Sequence, residues 1–122
     1  CIAVMQHQAD LWAAQLRQGN PTPDADLRLE LERAAALMGR TYLEGANDEA
    51  AAKARLRAAQ DAQAGWTDVQ RQKLRQACDQ QADAERTAAN ALQRLVIERM
   101  AASRYRRMTS PRSDAAGAAA SR

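Results

Sequence analysis

Phenylalanine is absent from this chain of 122 residues, and tryptophan and tyrosine occur only twice each. The large aliphatic residues number 20, whereas alanine alone contributes 30, so the hydrophobic fraction of 46% overstates what can be buried. So few bulky side chains can build a thin core between closely packed helices, but not a large substrate cavity. Five glycines, three prolines and few β-branched residues argue against an all-β fold.

Residues that support catalysis or membrane insertion are also scarce. The single histidine, His7, and two cysteines leave no self-sufficient metal site. The sequence contains no phosphate-binding glycine loop, no nucleophile elbow and no zinc-protease motif. Acidic pairs such as Glu30 and Glu32 have no predicted pocket in which to act as an acid–base couple. No apolar run approaches the length of a membrane span. The sequence therefore predicts a non-enzyme without a cofactor.

Apolar periodicity and capping residues predict an all-α fold, a small bundle or set of hairpins of about four helices. The first helix is expected to end at the Gly19–Pro23 turn, and the second, central helix at Gly45. Asn47 is expected to cap the alanine-rich third helix, which Gly65 ends. The predicted helices cover about 3–18, 23–44, 48–64 and 68–107 within a single domain, 1–108, and 109–122 is expected to be a flexible tail.

The predicted fourth helix is unusually long. Thr67 and Gln70 have the spacing of a capping box, and neither glycine nor proline follows until Pro111. A continuous helix over 68–107 would be about 60 Å long. Its aliphatic residues form an early and a late group, separated by Asp79–Ala91, which has none. That segment is typical of a solvated span between two contact regions, or of a tight alanine interface.

Positive charge is concentrated in the second half of the chain. The net charge is +3, of which residues 1–61 contribute −2 and residues 62–122 contribute +5. The late arginines, Arg94–Arg112, can meet an acidic partner, anionic lipid or nucleic acid, or can form a solvated helix end. Trp66 is expected to pack in the thin core, and the alternative is a partner interface, where tryptophan is enriched. The candidate partner-binding residues are Trp66, Arg99, Arg104, Tyr105, Arg106 and Arg107.

The sequence begins with Cys1, and the other cysteine is Cys78. Cleavage at a lipobox leaves bacterial lipoproteins with a first cysteine that carries diacylglycerol in thioether linkage, and Ile2 is compatible with sorting to the outer membrane. The chain thus resembles a mature bacterial lipoprotein, which implies lipidation of Cys1 and a position on the periplasmic face of the outer membrane. A fragment boundary is the alternative. Without acylation, a Cys1–Cys78 disulfide becomes possible.

Two further resemblances concern the predicted second and third helices. Gly39, Tyr42 and Ala51 resemble one tetratricopeptide hairpin, and a single copy implies a helical hairpin but no solenoid. A second pattern resembles the helical pilotins, small lipoproteins that escort secretin subunits to the outer membrane, although the internal cysteine partner of that family is absent. That pattern consists of Gly39, Tyr42-Leu43, Ala58, Ala62, Gly65-Trp66 and Cys78.

Together these features predict a non-enzymatic, lipid-anchored protein of the bacterial cell envelope, a structural or assembly subunit of a membrane-associated complex, in one version pilotin-like. Its expected partners are the membrane, through acylated Cys1, and a larger protein complex. The alternative is a basic helical protein associated with nucleic acid, or a virion structural protein, that uses the Arg94–Arg112 segment. A second basic face is missing, so nucleic acid is not the expected partner.

Overall fold

A computed structural model describes the backbone of residues 1–43 and 49–110, and their side chains except those of residues 40–43. Within these ranges the chain forms five α-helices and no strand, which confirms the all-α prediction. The helices are α1 (Ile2–Arg17), α2 (Asp24–Leu43), α3 (Glu49–Gln63), α4 (Asp68–Ala88) and α5 (Ala91–Thr109). None of the helices in this part of the chain combines the length and the apolar composition that crossing a membrane requires. The expected helix end at Gly45, the cap at Asn47 and the residue Arg112 lie outside the described residues.

Helix α2 packs against α1, α4 and α5, which confirms the expectation that it is the central helix. Two apolar clusters lie along it. The first consists of Val4, Met5, Ala34, Leu37, Cys78 and Ala82. The second consists of Ala9, Ala13, Leu27, Leu31 and Ala101, with Trp12, Leu16, Tyr105 and Met108 packed against it. Seven of the eleven buried residues in these two clusters are alanine, valine or cysteine, so the helices approach closely and the core is thin.

The prediction of one helix over 68–107 is wrong, because the chain leaves helical geometry at Ala89 and Asn90. Both residues are extended, with ψ of 137° and 176° respectively. The Asn90 side chain accepts a hydrogen bond from the Gln93 N–H at 2.8 Å, and the Gln93 side chain accepts one from the Asn90 N–H at 2.9 Å. This capping box starts a new helix without glycine or proline. Helix α5 therefore packs on α2 and α1 instead of overhanging the bundle.

The start of α4 agrees with the sequence. Thr67 caps the helix by accepting a hydrogen bond from the Gln70 N–H at 3.2 Å, and the Gln70 side chain accepts one from the Thr67 N–H at 2.8 Å. Helix α3, which precedes it, contacts α1 but buries none of its own residues. Its alanine-rich surface supports helix formation and adds little apolar burial.

A disulfide joins Cys1, at the start of α1, to Cys78 in the middle of α4, with Cα atoms 5.4 Å apart. Cys78 is fully buried in the first apolar cluster, and Cys1 is exposed. The bond spans 77 positions of sequence. It therefore ties the first helix to the fourth beside the central helix, which is the pairing that the sequence left open.

Candidate partner-binding site

A groove of about 320 Å³ lies between α2 and α5. Ala101 of α5 is buried against α2, and the residues on either side of it along the helix surface form one wall of the groove. Ala34 and Ala35 are too small to fill the space beneath. The lining residues are Leu31, Ala34, Ala35 and Met38 from α2, and Arg99, Met100, Ala101, Ser103, Arg104 and Arg107 from α5.

Three arginines stand on the α5 wall of this groove. Arg104 is close enough to Asp10 of α1 to attract its carboxylate. Among the side chains that the structure describes, those of residues 1–39 and 49–110, Arg99 and Arg107 take part in no ion pair or side-chain hydrogen bond. The groove therefore combines an apolar floor with two guanidinium groups that the rest of the described chain leaves uncompensated.

An apolar stripe continues the α5 wall of the groove toward the start of the helix. Its exposed members are Leu92, Val96 and Met100, spaced four residues apart, with Leu95 beside them. Leu92 keeps 71% of its surface exposed. The sequence indicated that this late aliphatic group is a contact region, but within the described part of the chain it is not buried. Such a stripe on a small protein is typical of an interaction surface.

The structure brings together only three of the six candidate partner-binding residues, namely Arg99, Arg104 and Arg107. Arg106 is exposed on α5, and Trp66 is half-buried at the α3–α4 junction. Neither of these two residues lines the groove.

Tyr105 faces α2 and is engaged within the chain. Its hydroxyl donates a short hydrogen bond to the Asp24 carboxylate, and the Arg28 guanidinium lies 3.8 Å from the centre of its ring. The hydrogen bond from Tyr105, with the one from Arg28, lowers the pKa of Asp24, and the same bond raises the pKa of Tyr105. These contacts fix the start of α2 to the end of α5, so Tyr105 positions the groove instead of lining it.

A second, partly buried polar cluster lies between α2 and α4. Arg33 donates to Asp83 at 2.9 and 3.0 Å and to Asp79 at 3.4 Å, and Arg75 donates to Asp79 at 3.1 Å. Glu30, only 1% exposed, lies 3.5 Å from Arg75. Sequence reasoning missed this cluster and assigned Asp79–Ala91, the second half of α4 and the break after it, to a solvated span or an alanine interface. Fully buried Ala82 supports the alanine interface, and the charged residues on either side of it are paired with α2.

The pKa of the Glu30 carboxyl group is raised close to neutral pH. Burial, followed by the hydrogen bond and repulsion from Asp79, raises its pKa from 4.5 to about 7, against the opposing attraction of Arg75 and Arg33. The atoms Glu30 Oε2 and Asp79 Oδ1 have no donor, and a proton on Glu30 would supply one. The cavity that Glu30 lines holds only about 10 Å³, which admits a single water at most. This cavity therefore does not admit a ligand larger than water to Glu30.

The remaining candidate functions concern metal ions and Cys1. In the described ranges no group of three or more histidine, cysteine or acidic side chains is placed to hold a metal ion. The Cys1 sulfur is bonded to Cys78, and one sulfur cannot also carry a diacylglyceryl thioether. Lipidation of Cys1 thus remains a prediction for a form of the protein that lacks this disulfide.

No protein-family model matches the sequence, and comparison with curated proteins and with solved structures finds no similar chain. The resemblances to lipoproteins, to helical pilotins and to a tetratricopeptide hairpin therefore rest on the sequence features alone.

Proposed function

We propose that this chain is a non-enzymatic subunit of a larger assembly, which binds a partner protein through the α2–α5 groove and the apolar stripe that continues it. The observation that carries the proposal is the exposure of Leu92, Val96 and Met100 on the helix that also bears the uncompensated Arg99 and Arg107. Aliphatic side chains that leave water on association supply most of the affinity of protein interfaces, and charges select the partner.

The proposed setting is an oxidising compartment of the bacterial cell envelope, at the periplasmic face of the outer membrane. Structural disulfides persist in exported proteins and are rare in the reducing cytosol. The Cys1–Cys78 bond supports export without requiring a lipid. A membrane anchor at Cys1 is a separate proposal, because it replaces this disulfide.

Nucleic acid is the weaker candidate partner. Successive residues of a helix project about 100° apart, so Arg99 and Arg106 share a face of α5 with the exposed Leu92, whereas Arg94 points to another side. Binding to a phosphate backbone needs cations aligned along one face. The apolar floor of the groove also offers nothing to a phosphate chain.

Site-specific photo-crosslinking in the source cells tests the proposal. A photoreactive amino acid replaces Val96, and a matched control chain carries it at Ala58, an exposed residue of α3. We expect a discrete crosslinked protein from position 96 that position 58 does not give. Equal crosslinking at both positions, or none at position 96, contradicts the proposed function.

A further inference from the structure

We infer that the occupant of the groove is one amphipathic helix of a partner protein, with aliphatic side chains along its length and carboxylates at one end. This inference rests on the proposed function and adds the chemistry of the partner segment. The groove and the apolar stripe together run from Leu92 to Arg107, which is about 22 Å, or four helical turns.

The two ends of this surface differ in chemistry. Leu92 and Val96 make the first two turns aliphatic, whereas Arg99, Arg104 and Arg107 make the last two turns cationic. A complementary helix therefore places leucine-like side chains against the first end and carboxylates against the second. Helices that lie in grooves bind through anchors at positions i, i+3, i+4 and i+7, which match the spacing of the exposed residues on α5.

The extent of the surface argues against a small-molecule ligand. The cavity of about 320 Å³ is large enough for a small ligand. Leu92 and Val96 do not line it, however, and they stay exposed when it is filled. A helix of about four turns covers the cavity and the stripe together.

The shape and the charge of the surface argue against a lipid bilayer. The floor is formed by Leu31, Ala34 and Ala35, which are recessed between two helices and accessible only to inserted side chains. On a helix that lies in a membrane surface, the cations flank the apolar face. Here Arg99 and Arg107 project within about 60° of Leu92, so they interrupt the apolar face itself.

The test uses the full chain with its disulfide intact and a library of displayed helical peptides of about 18 residues. Selected peptides are measured by fluorescence anisotropy. We expect the selection to enrich aliphatic residues at helical spacing together with glutamate or aspartate at one end. Peptides without helical spacing, or without clustered acids, overturn the inference.

Charge reversal inside and outside the proposed surface locates the binding site. Arg107→Glu is expected to weaken the selected peptide by about tenfold, and replacing the peptide's acidic residues by lysine is expected to restore affinity for this variant. Arg57→Glu is the matched control, because it makes the same charge change at an exposed residue of α3, outside both the groove and the apolar stripe. Equal weakening by both variants overturns the inference, since it shows only a general charge effect.

Alternative occupants give different outcomes in the same set of variants. One alternative occupant is a membrane surface, which is tested with vesicles that contain about 30% anionic phospholipid. If the chain binds these vesicles, Arg107→Glu weakens that binding, and no peptide is selected, the inference is overturned. A dimer in solution that Val96→Ser dissociates identifies a second copy as the occupant and also overturns it. If crosslinking from position 96 succeeds while peptide selection fails, the proposed function is supported and the inference of a helical partner segment is rejected.

Discussion

Arg33 of α2 holds the carboxylate of Asp83 on α4 through two parallel hydrogen bonds, Nε to Oδ1 at 2.9 Å and Nη2 to Oδ2 at 3.0 Å. The same guanidinium lies 3.4 Å from Asp79 and 3.6 Å from Glu30. Paired forks of this kind are stronger and more directional than single contacts. Arg33 therefore fixes the contact of α2 with α4, whose second half lacks large aliphatic side chains.

Arg33→Ala is expected to lower the free energy of unfolding by about 2 kcal/mol, because it leaves partly buried carboxylates without their cation. Urea unfolding followed by circular dichroism measures the change. Lys53→Ala is the control, since Lys53 and Glu49 form an exposed pair at 3.8 Å whose loss is expected to be too small to resolve. Equal effects of the two substitutions contradict a structural role for the Arg33 cluster.

Glu30 makes the stability of the fold depend on pH. Its pKa is about 7 in the folded chain, above its ordinary value of 4.5, because burial and Asp79 disfavour its charge. Between these two values the folded state retains a proton that the unfolded chain has released, so stability falls as pH rises through this window. Below the window Glu30 is protonated in both states, and the penalty is absent.

Glu30→Gln is expected to remove this component of the pH dependence, because the amide keeps the shape of the side chain and does not ionise. The variant should be more stable than the wild type above about pH 7, by on the order of 2 kcal/mol, and similar to it near pH 4.5. Unfolding curves at a series of pH values measure both effects. A pH slope that is unchanged in the variant contradicts the assignment to Glu30.

Local signals in the sequence predicted more of this molecule than long-range signals did. The stripe of Met5, Ala9, Trp12 and Leu16 on α1 and the Thr67 cap follow from spacing along one helix, and the structure confirms them. The capping-box spacing of Asn90 and Gln93 is a sequence signal for the break before α5. It was missed because neither glycine nor proline accompanies it.

Pairings between helices could not be read from the sequence. Arg33 and Asp83 are 50 residues apart, and their contact depends on how far each helix is rotated and shifted against the other. The groove depends on the same rotation, because it places Arg99, Arg104 and Arg107 on one wall, whereas Arg106 does not line the groove. The clustering of arginines late in the chain predicted a basic helix, but it did not distinguish the groove arginines from the others.

Reduction of the Cys1–Cys78 disulfide is expected to lower the free energy of unfolding by about 4 kcal/mol, because the bond closes a loop of 77 positions that restricts the unfolded chain. Unfolding with and without a phosphine reductant measures this loss. Cys1→Ser is the control, because its exposed site tolerates the hydroxyl and reductant should not affect its stability further.

Intact mass under non-reducing conditions examines the same bond directly. The protein is expected to resist alkylation until it is reduced, and then to gain two alkyl groups. Added acyl mass on Cys1 would instead reveal the lipidated form, in which Cys78 is a buried free thiol. Alkylation of either cysteine without reduction contradicts the disulfide.

Asn90→Ala is expected to lower the free energy of unfolding by about 1 kcal/mol, because the Gln93 N–H loses the side-chain acceptor that begins α5. Asn90→Asp is the conservative control, since its carboxylate accepts the same hydrogen bond and suits the positive end of the helix. The sign of the change in stability separates two explanations of the break. Alanine is the strongest helix former, so it would otherwise favour one continuous helix from α4 into α5. An alanine variant more stable than the wild type would show that the break is imposed by packing on α2 and that the capping box does not contribute to it. The expected order, with alanine below wild type and aspartate near it, shows that the sequence at Asn90 itself turns α5 back onto the bundle.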